Sequence, residues 1–279
     1  MGHNAQATHA ARFHSLHSGP GVLALLNAWD AGSARVFELS GCAAIGTTSA
    51  GIAYALGRPD GEALTRAELA EATGRMASVV AIPVTADIES GYGATPDEVR
   101  ETVTAVIEAG AVGVNIEDGI TSGASVLRDA GDQVARLHAA RAAGDDAGVR
   151  LFLNARTDVF WLSVGDPAER VELAIERCRA YVAAGADGVF VPGLCDPDEI
   201  VTLVRALDGV PVNVLAGRET PTLDALQSLG VRRLSVGSGG ARAVLDVAGR
   251  IALEVLETGR SELMAAGTLT YGEANNLFS

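Results

Sequence analysis

Four carboxylates in this chain have the type and spacing expected of a metal site. Asp87 and Glu89 lie two residues apart, Asp60 follows an earlier apolar run, and Glu117 ends a later one. Residues two apart on a strand point to the same side, and like charges that close repel unless a cation lies between them. A set of oxygen ligands without His or Cys suits Mg²⁺, with Mn²⁺ as the alternative. Capping of helices or pairing with arginine is the competing interpretation, and the convergence of four carboxylates favours the metal.

Arg156 ends another buried apolar run, where a guanidinium needs an anion. Asp158 is the structural partner that the sequence offers, and a substrate carboxylate is the functional one, because the guanidinium fork matches carboxylate geometry. Asn213 lies near the end of a later run and is taken as a further substrate-binding candidate. Cys195 is left out of catalysis as a small inert residue, and His138 is expected at the surface.

The basic residues narrow the possible chemistry. All 21 are arginine, and four of the five histidines lie within the first 17 residues. A coding bias explains the missing lysine, yet Schiff-base chemistry, pyridoxal phosphate anchoring and Walker-type phosphate binding all need a lysine amine. We therefore expect no pyridoxal phosphate, nicotinamide or nucleotide cofactor.

Charge and cysteine usage restrict the partners and the compartment. The 279-residue chain has a formal charge of −14 and a pI near 4.7, which argues against nucleic acid and anionic membranes as partners. Three cysteines without C-x-x-C spacing indicate a reducing compartment. We expect a cytoplasmic protein, with no signal peptide and no apolar run long enough to span a membrane.

The elements that position these residues alternate along the chain. Eight short apolar runs are predicted to be buried parallel strands: Leu23–Leu26, Ala43–Gly46, Ile82–Ile88, Val112–Ile116, Leu151–Asn154, Gly188–Val191, Val210–Leu215 and Leu234–Gly237. Longer segments between them are predicted to be helices. Eight such units without a linker favour one α/β domain, a (β/α)8 TIM barrel, over an open doubly wound sheet.

Local signals mark where the helices begin and end. Gly41, Gly110, Gly185 and Gly230 each precede a predicted strand, as expected of a glycine that ends a helix. Cap residues with Glu three positions later predict helix starts at Thr65, Thr95, Asp166 and Asp196. Residues 1–18 are predicted to be a flexible tail, and residues 19–279 to be the barrel with a C-terminal helical arm.

With these site residues and predicted elements, the chain resembles the isocitrate lyase/phosphoenolpyruvate mutase superfamily, on its phosphoenolpyruvate mutase-like branch. The resemblance rests on four segments in order: Thr47–Gly51 running to Arg58–Asp60, Ala86–Gly93, Ile116–Asp118 and Asn154–Asp158. It implies a barrel whose last helix is swapped between subunits, in a homotetramer or dimer. It also implies Mg²⁺ bound directly by Asp87 and through water by Glu89, Asp60 and Glu117. Thr48, Ser49 and Ala50 would contact a carboxylate or enolate, and Arg156 would add a further contact.

The loop after the fourth strand departs from this pattern. Isocitrate and methylisocitrate lyases carry a Lys, Cys and His there, whereas residues 119–128 of this chain contain none of them. Those two activities are therefore not expected. Phosphoenolpyruvate mutases and phosphonopyruvate hydrolases use lysine, asparagine or threonine in this loop, and Thr121 or Ser125 is the candidate substitute for these residues. The lysine of the mutases has no replacement except Arg128, and Pro192 stands where the mutases have a histidine.

These observations predict a Mg²⁺-dependent carbon–carbon lyase or decarboxylase that acts on a small 2-oxo or 2-hydroxy (di)carboxylic acid through a stabilised enolate. Asp60, Arg156, Glu117 and Ser125 are its predicted catalytic residues. Decarboxylation of an acid such as oxaloacetate needs the fewest acid and base groups. The alternatives are a P–C bond enzyme and a member that binds a 2-oxo acid without turnover.

Overall fold

The strands close into a barrel. The computed structural model describes residues 3–120 and 126–279, and within them eight parallel strands follow chain order around the barrel. They are β1 (Leu23–Ala28), β2 (Ile45–Thr47), β3 (Val84–Asp87), β4 (Gly113–Glu117), β5 (Phe152–Arg156), β6 (Gly188–Phe190), β7 (Val212–Leu215) and β8 (Arg233–Ser235). Leu23 pairs with Arg233, which joins β1 to β8. The (β/α)8 prediction is confirmed and the open sheet is wrong.

Helices surround the strands. They are α1 (His3–Ser18), α2 (Ala31–Leu39), α3 (Ser49–Ala55), α4 (Arg66–Val79), α5 (Pro96–Glu108), α6 (Ala130–Asp146), α7 (Arg170–Ala183), α8 (Pro197–Ala206), α9 (Leu223–Ser228), α10 (Gly239–Thr258), α11 (Glu262–Ala265) and α12 (Tyr271–Asn276). The four predicted glycines all have positive φ, from 88° to 106°, so each reverses the chain between a helix and the next strand.

Three of the four predicted helix starts are confirmed. Thr65 and Thr95 form reciprocal capping boxes at α4 and α5, and Asp196 caps α8. The start at Asp166 is wrong, because α7 begins at Arg170 without a side-chain cap. The Asp166 carboxylate accepts a hydrogen bond from the Ala168 amide at 2.9 Å, which makes a local turn ahead of the helix.

For residues 3–18 the predicted flexible tail is also wrong, since these residues form α1. Its Phe13 side chain is fully buried and packs against Phe152 of β5, with ring centroids 5.4 Å apart. A side-chain Cβ at Gly113 would lie 3.0 Å from the Phe13 ring, so the glycine makes room for it. Helix α1 therefore covers the amino-terminal end of the barrel.

The C-terminal helices expose apolar surface. Leu253 is 57% exposed and Leu256 is 82% exposed on α10, and Tyr271 is 89% exposed on α12. The main chain near the end of α12 is held by Arg35, whose Nε donates to the Leu277 carbonyl at 2.6 Å. Among the residues that the structure describes, no helix is both long and apolar enough to cross a membrane.

Polar side chains fill the middle of the barrel. Asn115 and Asn154 on neighbouring strands share a hydrogen bond of 2.8 Å. Arg233 on β8 reaches Asn115 on β4 at 3.2 Å, and because these strands lie on opposite sides of the barrel, this contact crosses its interior. All three side chains are buried. The carboxyl ends of the strands therefore sit above a polar layer.

Candidate active site

Asp87 lies at the centre of the carboxyl-end site. It is the last residue of β3, and its amide donates to the Thr47 hydroxyl at 2.8 Å. The Ser49 amide and hydroxyl donate to its Oδ2 atom at 3.2 and 3.0 Å. These bonds fix the carboxylate against the turn between β2 and α3.

Asp60 approaches the same serine from the following loop. The Ser49 hydroxyl lies 3.4 Å from Asp60 Oδ1. Burial and the nearby charge of Asp87 raise the pKa of Asp60. Two carboxylates thus lie close together at one hydroxyl, and the charge of Asp87 opposes ionisation of Asp60.

Glu89 reaches the site by a different route from the one expected. β3 ends before it, and its backbone is left-handed with φ 48°, so the strand rule that placed it beside Asp87 does not apply and that inference is wrong. The Tyr92 hydroxyl and the Glu62 amide, the latter at 2.6 Å, donate to its carboxylate. Burial, opposed by the Tyr92 bond and reinforced by Asp87 and Asp60, raises the pKa of Glu89 to about 7.

The backbone around Glu89 is strained. Glu62 and Tyr92 also have positive φ, at 56° and 51°, a conformation that costs free energy for residues other than glycine. The Glu62 carboxylate ties its loop to the segment after β3, because it accepts hydrogen bonds from the Ser90 hydroxyl and the Tyr92 amide, each at 2.8 Å. Such strain persists only where surrounding contacts impose it, and here it fixes the position of Glu89.

Arg156 pairs with two carboxylates at once. Its Nη1 lies 2.6 Å from Glu117 and its Nε lies 2.6 Å from Asp158. Burial lowers the pKa of Arg156, but Glu117 and Asp158 outweigh it and raise that pKa above its usual value. Its guanidinium also lies over the Phe190 ring, 5.8 Å from the centroid. Asp158 is thus the structural partner that the sequence offered, and burial raises the pKa of Glu117 against the opposing effect of the guanidinium.

A small cavity of about 100 Å³ opens at these strand ends. Six predicted site residues line it: Thr48, Ser49, Ala50, Asp60, Asp87 and Arg156. Glu89, Glu117 and Asn213 stand outside its lining. Glu89 and Glu117 are directed to the partners described above, and the Asn213 amide donates to the Ser235 hydroxyl at 3.1 Å. Ser125 and Thr121 lie outside the described residues.

Sequence reasoning missed the other half of the lining. The polar members are Asn27, Asn115, Ser235 and Ser238, and the apolar ones include Trp161, Phe190, Pro192 and Leu215. Asn115 lies in the middle of β4 and Asn27 next to the last residue of β1, so a polar residue inside an apolar strand was the signal that could have found them. Trp161 comes from the irregular segment after β5, where no periodicity identifies it.

The family model for phosphoenolpyruvate phosphomutase matches residues 13–256. The chain belongs to this family. It is therefore an enzyme of the phosphoenolpyruvate mutase/isocitrate lyase superfamily, whose members are lyases or mutases, and the resemblance seen in the sequence is confirmed.

Relatives of the family differ in the reactions that their names state. The chain is 34% identical over 261 residues to the chloroplastic carboxyvinyl-carboxyphosphonate phosphorylmutase of Arabidopsis thaliana, covering 88% of this chain and 75% of that protein. It is 32% identical over 250 residues to an oxaloacetate decarboxylase of Paraburkholderia xenovorans, covering 87% and 77%. A crystal structure from Burkholderia cenocepacia J2315, described as a lyase/mutase, superposes with a TM-score of 0.91 at 36% identity, covering 99% and 97%.

The phosphomutase family's loop after β4 is partly described. Gly119 and Leu127 form an antiparallel bridge, so the two ends of the loop lie side by side. Arg128, the candidate substitute for the mutase lysine, donates to the Ser90 hydroxyl at 2.9 Å. It does not line the cavity. The described part of this loop therefore places no cationic side chain in the site.

The donor set can be tested against a divalent cation. Among residues 3–120 and 126–279, no three His, Cys, Asp or Glu side chains converge closely enough to ligate one ion. The Asp87 and Asp60 carboxylates nevertheless both lie at the Ser49 hydroxyl. The charge of Asp87 contributes to the raised pKa of Asp60 and to that of Glu89. Oxygen donors with unrelieved negative charge fit a hard cation held by one or two carboxylates and water.

Proposed function

We propose that this enzyme cleaves a carbon–carbon bond, with decarboxylation favoured, in a small 2-oxo or 2-hydroxy (di)carboxylic acid, and that it depends on Mg²⁺ or Mn²⁺. The single observation that carries the proposal is the composition of the carboxyl-end cavity. Its lining includes Asp60 and Asp87, which suit a cation, and Arg156, which suits a carboxylate.

The size of the cavity favours a small substrate. Its volume of about 100 Å³ is well below the range of about 300–1,000 Å³ typical of sites for drug-sized ligands. Phe190, Trp161 and Leu215 provide apolar walls that limit contact with water. A short acid with few carbon atoms fits these limits better than a nucleotide or a long-chain substrate.

The cation would be held mainly by Asp87, with Asp60, Glu89 and Glu117 acting through water. When bound, a divalent cation polarises the 2-oxo group and offsets the charge that develops when the adjacent bond breaks. This arrangement is supported by the raised pKa of Asp60 and Glu89, since a nearby positive charge would offset the burial and the like charges that cause both shifts.

The protein's own groups would orient the substrate and stabilise the enolate. Arg156 lines the cavity and is held by Glu117 and Asp158, so its guanidinium is fixed before the substrate binds. In the Thr48–Ala50 turn, the Thr48 and Ser49 amides donate to the Ala28 carbonyl and to Asp87, so Ala50, which lines the cavity, is the residue whose amide would contact the substrate. Decarboxylation fits this lining because it includes no His or Lys among the residues described, and loss of CO₂ needs no base.

A panel of acids followed by NMR tests the proposal. Oxaloacetate, 2-hydroxy-dicarboxylates and phosphonopyruvate are each incubated with Mg²⁺ or EDTA, alongside enzyme-free blanks. We expect products of carbon–carbon cleavage, such as pyruvate, above the blank and only with the cation. Phosphate release from phosphonopyruvate alone would replace this function with P–C chemistry. Oxalate binding without turnover of any acid would replace it with a binding role.

The assembly follows as a second proposal. We infer that the exposed apolar side chains of α10 and α12 pack on another copy of the chain, in a dimer or a dimer of dimers, as in a helix exchange between subunits. Light scattering after size exclusion tests this. A dimeric or tetrameric mass is expected, and a monomer at micromolar concentration would contradict it.

A further inference from the structure

Arg233 is a buried arginine without a carboxylate partner. It is 0% exposed, and within the described parts of the chain it forms no ion pair. Burial lowers the pKa of Arg233 to about 9, with Asp87 opposing that shift, so the group stays charged at neutral pH. A buried charge that is not neutralised by an ion pair is costly to fold around. Arg233 contacts side chains that line the cavity, and these contacts indicate a role that offsets the free-energy cost of its burial.

The guanidinium holds two side chains that line the cavity. Its Nη2 donates to Asn115 Oδ1 at 3.2 Å, and its Nε donates to the Ser235 hydroxyl at 3.0 Å. Because a guanidinium can only donate, Asn115 must turn its oxygen toward Arg233. The orientation of the Asn115 amide is thus decided by the arginine.

The Asn115 Oδ1 and Ser235 Oγ atoms each accept a hydrogen bond from a second donor. Asn154 donates to the same Asn115 oxygen at 2.8 Å, and Asn213 donates to the same Ser235 oxygen at 3.1 Å. A carbonyl or hydroxyl oxygen has two acceptor sites, so both oxygens are saturated. What remains is the Asn115 NH₂ group and the Ser235 hydroxyl hydrogen, and both residues line the cavity.

We propose that Arg233 is a positioning residue that makes Asn115 and Ser235 hydrogen-bond donors toward the cavity and supplies positive potential beneath them, so that the cavity floor receives an anionic oxygen of the substrate or its enolate. Donors fixed in advance stabilise developing negative charge without reorganisation. This inference rests on the proposed function for the identity of the anion. It assigns a role to the barrel's polar interior that is separate from Asp87 and Arg156.

Oxalate binding measured by calorimetry in Mg²⁺ buffer tests the inference without needing turnover. Asn115→Asp keeps the oxygen that Arg233 binds but turns the cavity-facing donor into an acceptor and neutralises the arginine. We expect it to weaken oxalate binding by about 100-fold or more. Arg233→Met removes the charge and both bonds and is expected to have a similar effect, whereas Arg233→Lys recovers part of the affinity.

Arg141→Met is the matched control. Arg141 binds the carbonyls of Leu151 and Gly185, which precede β5 and β6 at the far end of the barrel, and it pairs with Asp187. Its loss is expected to leave oxalate affinity unchanged. Circular dichroism verifies that each variant is folded, and Asn115→Asp, which adds an ion pair to Arg233, protects the test against misfolding of Arg233→Met.

The outcomes separate this inference from the proposed function. Wild-type affinity in folded Asn115→Asp would overturn the inference, as would absence of oxalate binding to the wild type. Tight binding that is lost in Asn115→Asp and Arg233→Met, together with no turnover of any acid by the wild type, would support the inference while rejecting the proposed reaction.

Discussion

The same eight strands end in opposite chemistry at the two ends of the barrel. At the carboxyl end, Asp60 and Asp87 line a cavity. At the amino end, Phe13 and His17 of α1 pack on Phe152, the His17 ring stacking on it at 4.0 Å. One end keeps like charges close together, and the other excludes water with aromatic rings. The difference shows that the strands supply a frame, while the residues at each strand end and in the segments that follow or cover it decide whether that end binds or closes.

We expect the largest difference between the two ends when one residue is substituted at each end and the reaction rate and the stability of the variants are compared. Asp87→Asn keeps the size of the side chain but removes the charge that would hold the cation. We expect pyruvate formation from oxaloacetate to fall by about 1,000-fold. Because the substitution also relieves repulsion with Asp60, the melting temperature in EDTA should not fall. A rate near that of the wild type would remove Asp87 from the centre of the site.

Phe13→Ala is the corresponding change at the amino end. Deletion of a fully buried aromatic ring is expected to cost about 3–5 kcal/mol of unfolding free energy, measured by denaturant titration. The rate per folded molecule should stay at the wild-type value, since the ring lies at the opposite end of the barrel from the cavity. A large fall in that rate would show that the two ends are coupled.

The two ends should also respond to pH with opposite sign. Glu89 has a pKa of about 7 in the folded protein against 4.5 when unfolded, so its contribution to stability is lost as pH rises from 4.5 through 7. His17 has a pKa lowered to about 3 by burial and by Arg233, so its contribution is lost as pH falls from 6.5 toward 3.

Melting curves in EDTA across this pH range measure both contributions. Relative to the wild type, Glu89→Gln should gain stability most above pH 7, and His17→Phe should gain most below pH 6. Each kcal/mol corresponds to about 2–4 °C in a chain of this size. Parallel curves for a variant and the wild type would mean that its residue does not titrate as its burial implies.

The fold was largely predictable from local signals. Each apolar run overlaps a strand, because strands buried on both faces need continuous apolar residues. Gly110 and Gly185 end helices as predicted, because positive φ is inexpensive for glycine. The packing of α1 against the barrel was not predictable, because few large apolar residues occur in this helix. The burial of its Phe13 ring also depends on the space that Gly113 of β4 leaves.

The part of the site that lies at the carboxyl ends of β2 and β3 was predictable. Asp87, Asp60 and Ser49 meet as expected, because carboxyl ends of neighbouring parallel strands share one edge. Glu89 approaches by a left-handed backbone and Glu117 faces Arg156, and neither follows from spacing alone. Arg233 was missed because a basic residue in a short strand gives no signal of pointing into the barrel.

The most direct test of the proposed chemistry is the initial rate of pyruvate release from oxaloacetate, followed by NMR in EDTA and again after Mg²⁺ is added in excess, with an enzyme-free blank at each condition. We predict a rate equal to the blank in EDTA and a rate well above it with Mg²⁺. A rate equal to the blank in both conditions, or enzyme activity unchanged by EDTA, would contradict a cation-dependent decarboxylase at this cavity.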